Sequence, residues 1–153
     1  MSIEKLILDP KFMDLKEKQC LEVLSFLLEN NYEFGVICEA SNVIFNPILP
    51  DEILSKINSV TLFMLAGYSF ESAFIENHEL HFEAGFGPNN FESSVTIPIE
   101  SIIQIVLEQS VLFMNVSAGE KRHHINKETN EQAIEHSMNV FASNPDNSKF
   151  FHK

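Results

Sequence analysis

The stretch "HFEAGFGPNNFESSVTIP", residues 81–98, decides the fold. Apolar Phe82, Ala84 and Phe86 alternate with Glu83 and Gly85, the period of a strand with one covered face. "GPNN" (87–90) supplies turn residues, and "SSVTIP" is a second strand that stops at Pro98. The reading is an antiparallel hairpin with Phe82, Ala84 and Phe86 towards the core. It contains no nucleophile, metal cluster or phosphate loop, so its purpose has to be sought in what surrounds it.

Upstream, "DLKEKQCLEVLSFLLEN" (14–30) carries Leu15, Val23, Leu24, Leu27 and Leu28 at helical spacing. Asp14 is placed to cap its start and Asn30–Asn31 to end it. Cys20, Leu21 and Phe26 widen the apolar stripe beyond one face, which suits a helix that also packs on a second subunit. "YEFGVICEA" (32–40) alternates like a half-buried strand. "VIFNPIL" is a further extended piece in which Pro47 marks an edge or a break. "PDEILSKIN" reads as a short helical turn or irregular connection. "VTLFMLA" (60–66) is apolar throughout, a strand covered on both faces. "SFESAFIENHELHFEAGF" gives two strands about "ENHE".

Downstream of Pro98 the apolar positions Ile99, Ile102, Ile103, Val106 and Leu107 follow i, i+3, i+4, i+7, i+8, which predicts an amphipathic helix with proline in its first turn. "VLFMNV" is a last short strand. The character changes after Val116: residues 117–153 are polar and poor in aliphatics, and are expected to be a flexible tail behind a domain of residues 1–116. The tail ends in "KFFHK", two aromatics between basic groups. The expected class is mainly β within α+β.

The chain has 153 residues, is 44% hydrophobic and contains 14 Phe, enough for one domain with its own core. Its net charge is -12, and residues 1–116 hold all of the excess, with 5 Lys/Arg against 17 Asp/Glu. An acidic body repels phosphate backbones, which argues against nucleic acid or an anionic membrane as partner. The 2 cysteines, Cys20 and Cys38, form no CxxC or Cys/His pattern and read as buried thiols of a reducing compartment. No basic leader with a long apolar run opens the chain, so a cytoplasmic location is expected.

Reactive constellations are sparse. "HELH" (78–81) has metal-like spacing, but residues three apart on a strand point to opposite faces. "KRHH" (121–124) reads as solvated charge. Glu79, Glu83 and Glu92 would need a desolvating pocket to act as acid and base. No cofactor, metal or catalytic residue is expected, and a binding module is favoured over an enzyme.

The order of these strings resembles the SspB family, adaptors that deliver ssrA-tagged proteins to the ClpXP protease. "FLLENN" (26–31) is similar to the end of that family's first helix, and "LFMLAGYSFESAFIENHELHFEAGFG" (62–87) to its central strands with Phe-x-Ala-Arg-Phe-Gly-Gly. "VTIPIESIIQIVLEQ" (95–109) is similar to its Val-x-Val-Pro strand running into a helix. The resemblance spans about residues 12–116. Gly85 stands where the family usually has Arg, Pro88 replaces a glycine, and the Ala-Arg-Glu helix end is absent, so the chain resembles a divergent member.

The resemblance implies a small open β-barrel and a homodimer made by the N-terminal helix, here through Cys20, Leu24 and Phe26. It implies a peptide groove holding the tag, with Ile48, Met64, Ala66, Glu83 and Gly85 on its walls. It also implies a tail whose end, Lys149, Phe150, Phe151, His152 and Lys153, docks on the unfoldase ClpX. The rival reading is a peptide-binding or chaperone-like module of the same fold that does not serve ClpX.

Overall fold

The computed structural model describes residues 2–118. The chain opens with a short helix α1 (Ile3–Ile7) and a long one, α2 (Pro10–Glu29). Asp9, not Asp14, caps α2. Its backbone is extended and its carboxylate accepts from the Lys11 N–H at 2.9 Å, while Pro10 occupies the first turn, where a missing N–H costs nothing. The helix therefore begins a turn earlier than its apolar pattern indicated. It ends at Asn30, whose Nδ2 donates to the Phe26 carbonyl at 2.8 Å. Asn31 then takes the left-handed conformation that lets the chain turn back.

Two four-stranded antiparallel sheets follow. The first contains β1 (Phe34–Glu39), β3 (Val60–Leu65), β7 (Ile102–Leu107) and β8 (Ser110–Met114), in the order β3-β1-β7-β8. The second contains β2 (Ile44–Asn46), β4 (Phe74–Glu76), β5 (Glu79–Phe86) and β6 (Phe91–Pro98), in the order β2-β6-β5-β4. Single helical turns, α3 (Asp51–Leu54) and α4 (Tyr68–Glu71), lie in the connections. The architecture is α+β, with no closed barrel among the described residues. The hairpin at residues 81–98 lies in β5–β6, in register from Glu79↔Pro98 to Phe86↔Phe91. Pro47 ends the edge strand β2, as its missing N–H requires.

The core lies between the two sheets and under α2. Cys20, Leu24 and Leu27, at i, i+4 and i+7, point into it from the helix. Phe34, Val36 and Cys38 enter from β1, Phe63 and Leu65 from β3, Leu80 and Phe82 from β5, and Val95 and Ile97 from β6. The abundance of phenylalanine finds its use at the seam between the sheets. Phe63 of the first sheet meets Phe45, Phe82 and Phe86 of the second with ring centroids 6.1–6.2 Å apart, and Phe45 meets Phe86 edge-on at 5.6 Å. Such tilted and edge-to-face pairs add to area burial. A smaller cluster, Ile37, Val60 and Leu62 with Met64, Ile103 and Val106 against it, covers the other face of the first sheet.

Two sequence expectations are corrected. The segment 34–39 is buried at every position, not on one face. Its alternation sorts residues between the main core and the smaller cluster, and β1 is central in its sheet. The helix predicted after Pro98 is absent. A single 3₁₀ turn at Ile99–Ser101 leads into strand β7, paired with β1 on one side and β8 on the other. The helix-like spacing arose because both faces of β7 are covered and its pairing slips at two irregularities, so Ile102 and Ile105 share the core while Ile103 and Val106 face away. A run rich in Ile and Val prefers the extended backbone. Ser117 and Ala118 are buried, and their N–H groups donate to Asn115.

Candidate functional site: a cleft at the seam of the two sheets

A cleft of about 680 Å³ is lined by the end of β3, the edge of the first sheet, and by both faces of the β5–β6 hairpin. Its size falls within the ~300–1,000 Å³ of ligand clefts. Local chemistry explains why it stays open. β4 pairs with β5 only as far as His81, so the outer edge of β5 is uncovered by strand beyond that point. There α4 takes over, with Ser72 Oγ accepting from the Glu83 N–H at 2.9 Å. The turn is tied to β3 as well: Ser69 Oγ accepts from the Ala66 N–H at 2.9 Å and donates to the Ala66 carbonyl at 2.8 Å. Gly67, at φ +57, makes the bend, and its N–H donates to Glu33 Oε2 at 2.6 Å. The far end is held by Ser93, whose hydroxyl donates to the Pro47 carbonyl at 2.8 Å.

Four of the five residues expected on the groove walls line this cleft: Met64, Ala66, Glu83 and Gly85. They come from β3, the β3–α4 connection and β5, so the fold brings together positions up to about twenty residues apart in the chain. Met64 also packs its thioether over Gly35, its cross-strand partner, where an added Cβ would crowd it. The Asn90 side chain lies over Gly85, and an added Cβ there would have to displace it. Ile48 is 77% exposed and does not line the cleft; its neighbour Pro47 does.

Glu83 is the best-positioned polar group. The Tyr68 hydroxyl donates to its Oε2, and Ser94, its cross-strand partner, donates to Oε1 at 3.5 Å. Glu92, opposite Gly85 in the hairpin, lies on the same wall. The hydrogen bond to Glu83, then its charge and a smaller contribution from Glu92, push the Tyr68 phenol up from its usual range, because ionising it would place a third negative charge beside the two carboxylates. No Lys, Arg or His lines the cleft among the described residues. The site thus combines apolar Phe and Met side chains with acidic, hydrogen-bonding groups.

Sequence reasoning missed Tyr68, Asn90 and Ser94 as cleft residues. Glu92 and Ser94 were in reach, since they share one face of β6 by simple alternation. Tyr68 and Asn90 were not, because each depends on the bend in which it sits.

The remaining expected residues fall elsewhere. Cys20 and Leu24 point into the core, whereas Phe26 is 58% exposed on the opposite side of α2, stacked on Tyr32 at 6.4 Å. Leu15, eleven residues earlier and so on the same face, is also exposed. Residues 149–153 and the "KRHH" string lie outside the described residues. His78 sits in the β4–β5 turn and His81 on β5, stacked on Phe74 at 4.8 Å with its Nδ1 3.1 Å from Thr96 Oγ1. Among the described residues no three His, Cys, Asp or Glu side chains are grouped as a metal site, and no helix is long and apolar enough to cross a membrane. Compared with known proteins, the chain matches no family model and no curated protein.

Proposed function

We propose that this protein is a peptide-capture adaptor of the SspB kind, in which the two sheets act as a small open barrel. The cleft holds an unstructured ssrA-type degradation tag, and the segment after the domain, ending in Lys149–Lys153, docks on ClpX and delivers the tagged protein to ClpXP. The protein performs no chemistry of its own. A second copy binds through the exposed Phe26 side of α2. The location is the cytoplasm, where tagged proteins are degraded.

The observation that carries this reading is the meeting of Met64, Ala66, Glu83 and Gly85 in one cleft beside an edge strand. An edge strand offers backbone donors and acceptors to an extended chain, and alternate side chains of that chain would meet the apolar lining residues. Tethering supplies the rest: two weak contacts joined by a linker act at roughly millimolar effective concentration.

The test is fluorescence anisotropy of a labelled ssrA-type tag peptide against the full chain, with a pull-down of ClpX by the full chain and by a form lacking residues 148–153. Binding of the peptide and loss of ClpX on deletion are expected. Peptide binding without any ClpX capture would favour the peptide-binding module that does not serve ClpX. No peptide binding would overturn both.

A further inference from the structure

The cleft has a chemistry that the resemblance does not specify. Its lining holds two carboxylates, Glu83 and Glu92, with Tyr68 and Ser94 fixing the first of them. No cation answers them among the described lining residues. Phe63, Phe86 and Met64 also line the cleft. An occupant that matches both the acidic and the apolar lining carries aromatic side chains flanked by cationic ones.

The same chain contains such a segment. Residues 149–153 are Lys-Phe-Phe-His-Lys, and no acidic residue occurs after Asp146. The other basic string, "KRHH" (121–124), has no aromatic residue and follows Glu120. It also starts only three positions after Ala118, too close to reach across the domain. Lys149 is thirty-one positions beyond Ala118. Even at the helical rise of ~1.5 Å per residue, that span covers about 45 Å. A domain of this size is about 35 Å across, from a radius of gyration of roughly 13 Å. The intervening residues are therefore enough in number to span the domain.

We infer that Lys149–Lys153 occupies the cleft of its own chain. Phe150 and Phe151 pack on the apolar lining, and the two lysines meet Glu83 and Glu92. The inference rests on the reading of the cleft as a peptide site, and it makes the docking segment and the incoming tag compete. A tag that enters the cleft releases the segment for its partner, so the adaptor presents its docking end chiefly when loaded.

The experiment uses full-length protein and a fluorescein-labelled hexapeptide of residues 148–153. With an effective concentration of ~1 mM, an internal segment whose free peptide binds tenfold tighter than that concentration weakens the apparent affinity about tenfold. The Phe150→Ala/Phe151→Ala protein should therefore bind the labelled peptide about tenfold more tightly than the natural chain. Glu83→Gln/Glu92→Gln in that background should weaken it several-fold, as should salt. An analogue with glutamate for both lysines should bind more weakly than the natural hexapeptide. Equal affinity of the natural and Phe150→Ala/Phe151→Ala chains for the hexapeptide would overturn self-occupancy and leave the peptide cleft standing. A hexapeptide that fails to bind while an ssrA-type peptide binds would have the same meaning. Failure of both peptides would overturn the cleft itself.

Discussion

The two sheets share a core but differ in what their sequences are free to do. In the first, β1 is buried at every residue and β3 at all but one, with the main core on one face and the Ile37–Leu62 cluster on the other. In the second, β6 alternates, with Ser93, Val95 and Ile97 inside and Glu92 and Ser94 outside. A strand covered twice has every side chain committed to packing. A strand covered once has half of them available for recognition, and the cleft draws its polar groups from that half. The difference predicts that substitutions in the doubly covered strand β1 change stability, and substitutions on the open face of the second sheet change binding.

The largest effect should come from Phe34, fully buried in β1 and edge-on to Phe70 at 6.3 Å. Phe34→Ala should cost ~3–5 kcal/mol, measured by urea unfolding, because it leaves a cavity where two sheets and α2 converge. A loss below about 1 kcal/mol would mean that the first sheet is no more rigidly packed than the second.

Alkaline pH tests the same packing through the two thiols. Burial pushes the Cys20 thiol up from 9.0 to about 12, and that of Cys38 also upward, with the neighbouring Glu17 and Glu39 charges adding to each. Their folded values exceed the unfolded ones, so the contribution is fully present below about pH 9 and is lost as pH rises towards the folded values. Stability should fall by about 1.4 kcal/mol per pH unit for each such thiol above pH 9. The slope should flatten in a Cys20→Ala/Cys38→Ala protein, whatever its absolute stability.

Phe26 belongs to neither sheet's core, and its test concerns association. Phe26→Asp should leave unfolding little changed but weaken self-association by ~2 kcal/mol, seen as a shift from dimer to monomer in sedimentation velocity. A dimer of unchanged mass would remove this side of α2 from the interface. Leu24→Asp cannot be used for the purpose, since Leu24 is a core residue and its loss would unfold the chain.

The smallest effect is expected on the second sheet's open face. Glu83→Lys should raise affinity for an acidic peptide and lower it for a basic one by several-fold at most, since an exposed charge contact is worth roughly 0.2–1 kcal/mol. High salt should shrink the difference. Affinities unmoved by the change would place the bound peptide away from β5.

Most strands were legible because period and turn chemistry agreed. The hairpin at 81–98 has its alternation, its Gly87 bend at φ +73 and its terminal proline, all pointing the same way. Residues 99–107 carry the spacing of a helix yet form a strand, because no local signal separates a doubly covered, bulged strand from an amphipathic helix; only the neighbours β1 and β8 decide. The helix α2 was legible, but its inward and outward residues were not. Cys20, Leu24 and Phe26 all look apolar in sequence, and the sheet they meet determines which is covered. In the candidate site, the β5 face was legible by alternation. Tyr68, Asn90 and the exposure of Ile48 follow from bends and from the end of β2, which sequence spacing does not encode.

One consequence of these arrangements is optical. The chain has 2 tyrosines and no tryptophan. One tyrosine, Tyr68, holds the Glu83 carboxylate at the cleft, and the other, Tyr32, stacks on Phe26 at the exposed side of α2. A phenol bonded to a carboxylate emits weakly, so whatever draws Glu83 away from Tyr68 should brighten the near-ultraviolet emission. A change at the other ring would report on the helix surface. Tyr68→Phe and Tyr32→Phe would divide the signal between the two places, giving each candidate interface its own label-free readout in the unmodified protein.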